Sequence, residues 1–143
     1  MHKLSLIVLF VAVGCLSTAA LAENSIPVVP GQYSVKTTTS SNLKPEPKSL
    51  TEERCIPIDQ FTPSMVLPDA TCKASNVKKS SNVLTFNIKC PGNDQRPPMT
   101  AKAELVTTKS NFKIKMDAVS TFDDKEYIID SVIEGKRTGD CKQ

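Results

Sequence analysis

The chain has 143 residues, with 18 Lys and Arg against 15 Asp and Glu and a formal charge of +3. That length holds one ordinary domain, and 23% charged with 39% hydrophobic residues suits a folded chain rather than a disordered one. The charge is too mild for a nucleic-acid arm or a polybasic membrane patch, so nucleic acid is not an expected partner.

Met1-His2-Lys3 supplies one basic residue ahead of an apolar run from Leu4 to Val13. Gly14 breaks the run, and Ala20-Leu21-Ala22 precedes Glu23. This is the layout of a secretory signal peptide, with Ala20 and Ala22 where the peptidase reads and Glu23 as the first mature residue. The alternative is a retained membrane helix. Gly14, Ser17 and Thr18 dilute it, and no basic cluster follows Ala22. No stable transmembrane segment is therefore expected after processing. Val11-Ala12-Val13-Gly14-Cys15 also loosely resembles a lipoprotein box, which would acylate Cys15, but Ala12 stands where Leu is usual. The expected organisation is a signal peptide, 1–22, and a single exported β domain, 23–143, placed in the periplasm or secreted. Cleavage removes His2, the single histidine, and Cys15. Cys55, Cys72, Cys90 and Cys141 remain, and an even number in an exported chain predicts two disulfides.

Residues 23–30, with Pro27 and Pro30, read as a loose lead-in. Gly31–Thr39 is the first predicted strand, with Tyr33, Val35 and Thr37 on one face. Ser40–Ser49 is a loop, and Leu50–Ile56 a short strand around Cys55. Pro57, Pro63 and Pro68 exclude a long helix and leave room for one helical turn at Pro57–Phe61, with proline first.

Thr71–Lys79 and Val83–Cys90 flank Ser80-Ser81-Asn82. A three-residue hairpin loop wants a left-handed residue last, which Asn82 tolerates. That register sets Cys72 opposite Cys90, Ala74 opposite Ile88 and Asn76 opposite Phe86. It also sets Lys73 against Lys89, a mildly unfavourable pair. One bridge is therefore Cys72–Cys90, which leaves Cys55 for Cys141. Pro91–Pro98 is a turn-rich loop. Met99–Thr107 and Asn111–Ser120 alternate with opposite parity, and a two-residue loop at Lys109-Ser110 pairs Leu105 with Ile114, Ala103 with Met116 and Ala101 with Ala118. Thr121–Glu126 reads as a polar turn. Tyr127–Arg137 is partly apolar on both faces, which predicts a central strand or one covered on its second side, and a Cys55–Cys141 bridge would set it beside or over the first third of the chain. The expected fold is all-β: a single antiparallel curled sheet or partly open barrel of about six to seven strands, with two disulfides and at most one short helical turn.

Several segments occur together in a telling order: Pro30-Gly31-Gln32-Tyr33, Cys55-Ile56-Pro57, Cys72-Lys73 with Cys90, and Gly135-Lys136-Arg137-Thr138-Gly139-Asp140-Cys141. In this the chain resembles the exported bacterial proteins of the domain of unknown function 3617 family. It departs in having Tyr33 where Trp is common and Ser80-Ser81-Asn82 where the turn often has Gly. The resemblance implies an exported bacterial protein and transfers no activity.

Without histidine, and with its cysteines oxidised, the mature chain lacks the usual general base, thiolate nucleophile and zinc ligands. No glycine-rich phosphate loop is present, and no cofactor or metal is expected. Carboxylates remain: Asp123, Asp124, Glu126 and Asp130 near one turn, and Asp59, Asp69 and Asp94 in loops. They lack calcium-loop spacing and read as solvated, as do Lys78, Lys79, Lys113 and Lys115 on outward positions and turns. The apolar stripe of Leu84, Phe86, Ile88, Leu105, Phe112, Ile114, Met116 and Ile133 is either plain core or a concave ligand face. Ala101, Ala103 and Ala118 leave space on it. The candidate apolar ligand face is Phe86, Ile88, Leu105, Phe112, Ile114 and Met116.

The expected function is non-enzymatic: a stapled envelope protein binding a small apolar ligand or another envelope protein. The alternatives are a carboxylate-dependent hydrolase and an inhibitor-like module presenting Pro91–Pro98.

Overall fold

A computed structural model describes residues 24–142. The predicted signal peptide, with Cys15, Ala20, Ala22 and Glu23, lies outside the described residues. The elements are β1 (Ile26–Pro27), β2 (Gly31–Ser41), β3 (Lys48–Ile56), β4 (Gln60–Phe61), a 3₁₀ turn (Pro63–Val66), β5 (Lys73–Ser80), β6 (Val83–Cys90), β7 (Met99–Thr107), β8 (Asn111–Phe122) and β9 (Lys125–Gly139). Seven strands form one antiparallel sheet in the order β3-β2-β9-β8-β7-β6-β5, and β1 pairs with β4 in a two-stranded ladder. The sheet is open, with β3 and β5 at its edges. No helix among the described residues is long and apolar enough to cross a membrane.

The β7–β8 hairpin follows its alternation: Leu105 pairs with Ile114, Ala103 with Met116 and Ala101 with Ala118. Its odd and even apolar sets share a face only in this register. β9 lies between β8 and β2, so both its edges are paired, as its two apolar faces suggested. Both disulfides form as expected, Cys72–Cys90 and Cys55–Cys141.

Several boundaries move. The β5–β6 loop is Ser81-Asn82, closed by a Ser80–Val83 pair, and the left-handed residue is Ser81 (φ 53°), not Asn82. Asn82 is engaged elsewhere, its side-chain amide and its carbonyl both meeting the Thr107 backbone. A bulge at Asn76–Val77, with Asn76 at φ 52°, absorbs the one-residue difference. Ala74–Ile88 and Lys73–Lys89 therefore pair as predicted, while Asn76 shares the place opposite Phe86 with Val77 instead of pairing with it singly. The polar turn at 121–126 contracts to Asp123-Asp124, with φ 49° and 57°, the left-handed pair a two-residue hairpin loop requires. β2 runs past Thr39 because Asn42 continues its ladder. Its side chain takes the Ile128 N–H at 3.1 Å and donates to Glu126 O at 2.9 Å. The predicted 40–49 loop shrinks accordingly.

One face of the sheet is buried. Tyr33, Val35, Leu84, Phe86, Ile88, Leu105, Phe112 and Ala118 lie under Ile26, Val28, Phe61 and Pro63. The loose lead-in is thus a correction: Ile26 and Val28 alternate into the core, Ile26 fully, and Val28 N bonds to Asp59 O at 3.0 Å. The helical turn also moves, from 57–61 to Pro63–Val66. Gln60–Phe61 is drawn into the β1 ladder instead, and Phe61 sits edge-on against Phe112, ring centres 5.2 Å apart.

Candidate functional site

The six residues of the expected apolar ligand face come together on the core side. Phe86, Ile88, Leu105, Phe112 and Ile114 are buried and Met116 is half-buried. The N-terminal segment and the 57–72 segment pack over them, with Ile58, Val66 and Leu67 joining the cluster. This part of the face is filled by the chain itself.

The same side stays open at the far end of the strands. A cleft of about 850 Å³ lies between the 91–98 loop and the β8–β9 hairpin. Pro97 and Pro98 form one wall, and Phe122, Tyr127 and Ile129 form the other, with Arg96 and Ser120 on its lining. Phe122 is 53% exposed, unusual for a large aromatic, while Tyr127 and Ile129 are half-buried. The volume is in the range of small-molecule sites. The paired turn residues Asp123-Asp124 carry Phe122 to the tip of the hairpin. The sequence points to Pro97 and Pro98 only as part of the presented 91–98 loop and places none of Phe122, Tyr127 and Ile129 in a site. An aromatic beside a doubled turn acid was the available signal.

The 91–98 loop is held at several points. Cys90 at its start is tied to Cys72, and Ser120 Oγ donates to Pro98 O at its end (2.8 Å). Asn93 and Arg96 exchange backbone hydrogen bonds at 2.8 and 3.2 Å, and Gln95 N donates to Asn93 Oδ1. Arg96 Nη2 reaches Asp69 Oδ2 at 2.6 Å and lies 3.6 Å from Cys72 Sγ. Arg96 Nε is buried without a hydrogen-bond partner. The Thr71 hydroxyl and amide both donate to Asp69, and with Arg96 they hold its carboxyl below the usual carboxylate range.

Of the remaining carboxylates, Asp94 from the loop and Asp123 from the hairpin turn lie on the cleft lining. Asp130 stands opposite Asp117 on the outer face, away from Asp123 and Asp124. No group of three or more metal-ligating side chains occurs among the described residues. Lys113 and Lys115 point outward, Lys113 toward Glu134 at 3.6 Å and Lys115 opposite Glu104. Lys79 departs from the outward expectation: the bulge puts it opposite Leu84 on the core side, where the sheet edge leaves it exposed. A second hollow, about 640 Å³, lies on the outer face among these charged rows, beside Lys102, Glu104 and Asp117. Its lining is that of a solvated ladder of alternating charges.

Three of the four segments noted in the sequence, all but Cys72-Lys73 with Cys90, converge at one corner. Arg137 Nε donates to Pro30 O at 2.9 Å, and its guanidinium pairs with Asp140. A β-carbon on Gly31 would lie 2.5 Å from Arg137 Nε, so only glycine lets the guanidinium pass. Ile56 pairs with Gly31 and Cys55 with Gln32, which brings Cys55 to Cys141. Tyr33 Oη donates to Val29 O at 2.6 Å, and burial raises its pKa. The Arg137–Pro30 bond and the Cys55–Cys141 bridge tie the start of the domain to its end.

Searches of curated proteins and of solved structures found no match to the chain. A family model, described as a protein of unknown function (DUF3617), matches residues 28–141, from the buried Val28 to the cysteine that closes the corner latch. The chain belongs to the DUF3617 family.

Proposed function

We propose that the mature chain is an exported, non-enzymatic binding protein whose site is the cleft between the 91–98 loop and the β8–β9 hairpin. The observation that carries this reading is the cleft itself, a hollow of about 850 Å³ walled by Pro97, Pro98, Phe122, Tyr127 and Ile129 beside a loop already fixed in place. A wall that does not have to be ordered on binding loses little entropy when a ligand enters. The two prolines, Phe122, Tyr127 and Ile129 favour a small ligand with an apolar body, and Arg96, Ser120, Asp94 and Asp123 offer polar and charged contacts around it. Export is supported by the two disulfides, which suit an oxidising compartment.

Native mass spectrometry after gentle purification from the envelope tests this. The expected result is a co-purifying apolar molecule, lost in Phe122→Asp while the fold is kept. A ligand-free wild-type protein, or a ligand retained equally by Phe122→Asp, contradicts the reading.

A second reading is favoured by the loop clamp. The Asp69–Arg96 ion pair, the Asn93–Arg96 bonds and the Cys72–Cys90 bridge hold 91–98 as a rigid projection that suits presentation to another envelope protein. Capture of the same partner by wild type, but not by Arg96→Ala, is the expected outcome there.

A further inference from the structure

The two edges of the sheet are treated differently. β5 carries the Asn76–Val77 bulge and three lysines, Lys73, Lys78 and Lys79, devices that discourage a foreign strand from adding on. β3 pairs with β2 in unbroken register over nine residues, from Lys48–Thr39 to Ile56–Gly31. It has no bulge and no internal proline, and it is exposed throughout except for the half-buried Glu52 and Ile56. Leu50 at its centre is 66% exposed.

The hydrogen-bond alternation decides which groups of β3 are free. Asn42 N donates to Ile128 O in the register that pairs Ser34 with Lys136, so the even-numbered residues of β2 bond to β9. The odd-numbered ones then bond to β3, at Lys48, Leu50, Glu52 and Arg54. Ser49, Thr51 and Glu53 consequently direct their N–H and C=O groups out of the sheet.

We propose that β3 is a self-complementary docking edge that takes β3 of a second copy, antiparallel, about a two-fold axis at Leu50. In that register Ser49 and Thr51 exchange hydrogen bonds with Thr51 and Ser49 of the other copy. Leu50 meets Leu50 at the closely spaced, non-hydrogen-bonded position. Lys48 meets Glu52 on both sides of the axis. Moving the partner two residues either way destroys this match. One shift opposes Lys48 to Arg54, and the other opposes Lys48 to Leu50. The charges that repel an arbitrary strand thus fit one particular partner, and an isologous contact closes as a dimer rather than growing into a fibre.

Sedimentation equilibrium of the oxidised mature chain tests the proposal. A concentration-dependent dimer is expected. Thr51→Pro should make it monomeric, since that N–H is unused in the monomer and is needed only across the dimer. Unchanged circular dichroism and melting of the monomer would separate this from misfolding. Lys48→Glu should raise the dissociation constant by about tenfold, because two like-charge pairs replace two favourable ones. Adding Glu52→Lys should restore wild-type association. A wild-type chain monomeric at all concentrations overturns the proposal and leaves the edge to a different strand. A dimer that survives Thr51→Pro overturns it as well. Neither outcome depends on the cleft being occupied.

Discussion

Gly135 is the position where one added methyl group should be felt most. It lies in β9 opposite Phe112 on one side and Val35 on the other. A β-carbon there would stand 2.6 Å from Phe112 Cδ1 and closer still to Cε1 and Cζ. The ring cannot swing aside freely, because it is buried and packed on Tyr33 at 5.3 Å and Phe61 at 5.2 Å between ring centres. Gly135→Ala restricts the unfolded chain, which favours folding by about 0.4–1 kcal/mol. Forcing the ring out of a filled core costs about 1–3 kcal/mol. The net expectation is destabilisation of about 1–2 kcal/mol, read as a lower urea midpoint at unchanged slope with both disulfides intact. Combining Gly135→Ala with Phe112→Leu should cost less than the sum of the two single changes, since the leucine vacates the space the methyl needs. Gly135→Ala at or above wild-type stability, or strict additivity in the pair, would refute the seating of Phe112 on Gly135.

Other outcomes follow from the same packing. Leu105→Asp and Ile114→Asp should each destabilise by a few kcal/mol, roughly the cost of an unpaired buried charge, whereas a wild-type melting temperature would show the paired face is not buried. Cys141→Ser opens a loop of sequence separation 86 against 18 for Cys72–Cys90; loop entropy corresponds to losses of up to about 4.5 and about 3 kcal/mol respectively. Amide exchange should then rise first around the corner of Arg137 and Pro30, with the β5–β6 hairpin unaffected. Asp69 has a depressed pKa in the folded protein, so its contribution to stability is present above the unfolded value of about 4 and is lost as pH falls through the folded one. The 91–98 loop should loosen in acid in the wild type, and Asp69→Asn should already be loose at neutral pH; acid-insensitive exchange of Gln95 and Arg96 amides would contradict the clamp.

The readable and unreadable parts of the fold differ in what sets them. The β7–β8 register was legible because two strands of opposite parity can bury one face in a single way, and Leu105–Ile114 follows directly. The Cys72–Cys90 pairing holds although the hairpin loop differs from the one its residues suggest. The loop is a residue shorter than expected, and the bulge at Asn76 restores the register before it reaches the cysteines. A bulge has no hydrophobic signature, so alternation could not reveal it. In the sequence of the lead-in, Pro27 and Pro30 mask the alternation of Ile26 and Val28, although a two-residue edge ladder tolerates a proline. The core stripe was legible as apolar. That Phe61 and Val28 cover it, while the Phe122 end stays open, depends on long-range packing that periodicity does not encode.

The most direct measurement of the binding claim uses tyrosine fluorescence. The chain has two tyrosines and no tryptophan. Tyr33 is buried at the corner latch, so a ligand in the cleft is reported by Tyr127. Titration with a medium-chain fatty acid should give a saturable change in emission that disappears in Tyr127→Phe and weakens in Phe122→Asp. A linear, non-saturating response, or one that persists in Tyr127→Phe, would contradict the cleft as the binding site.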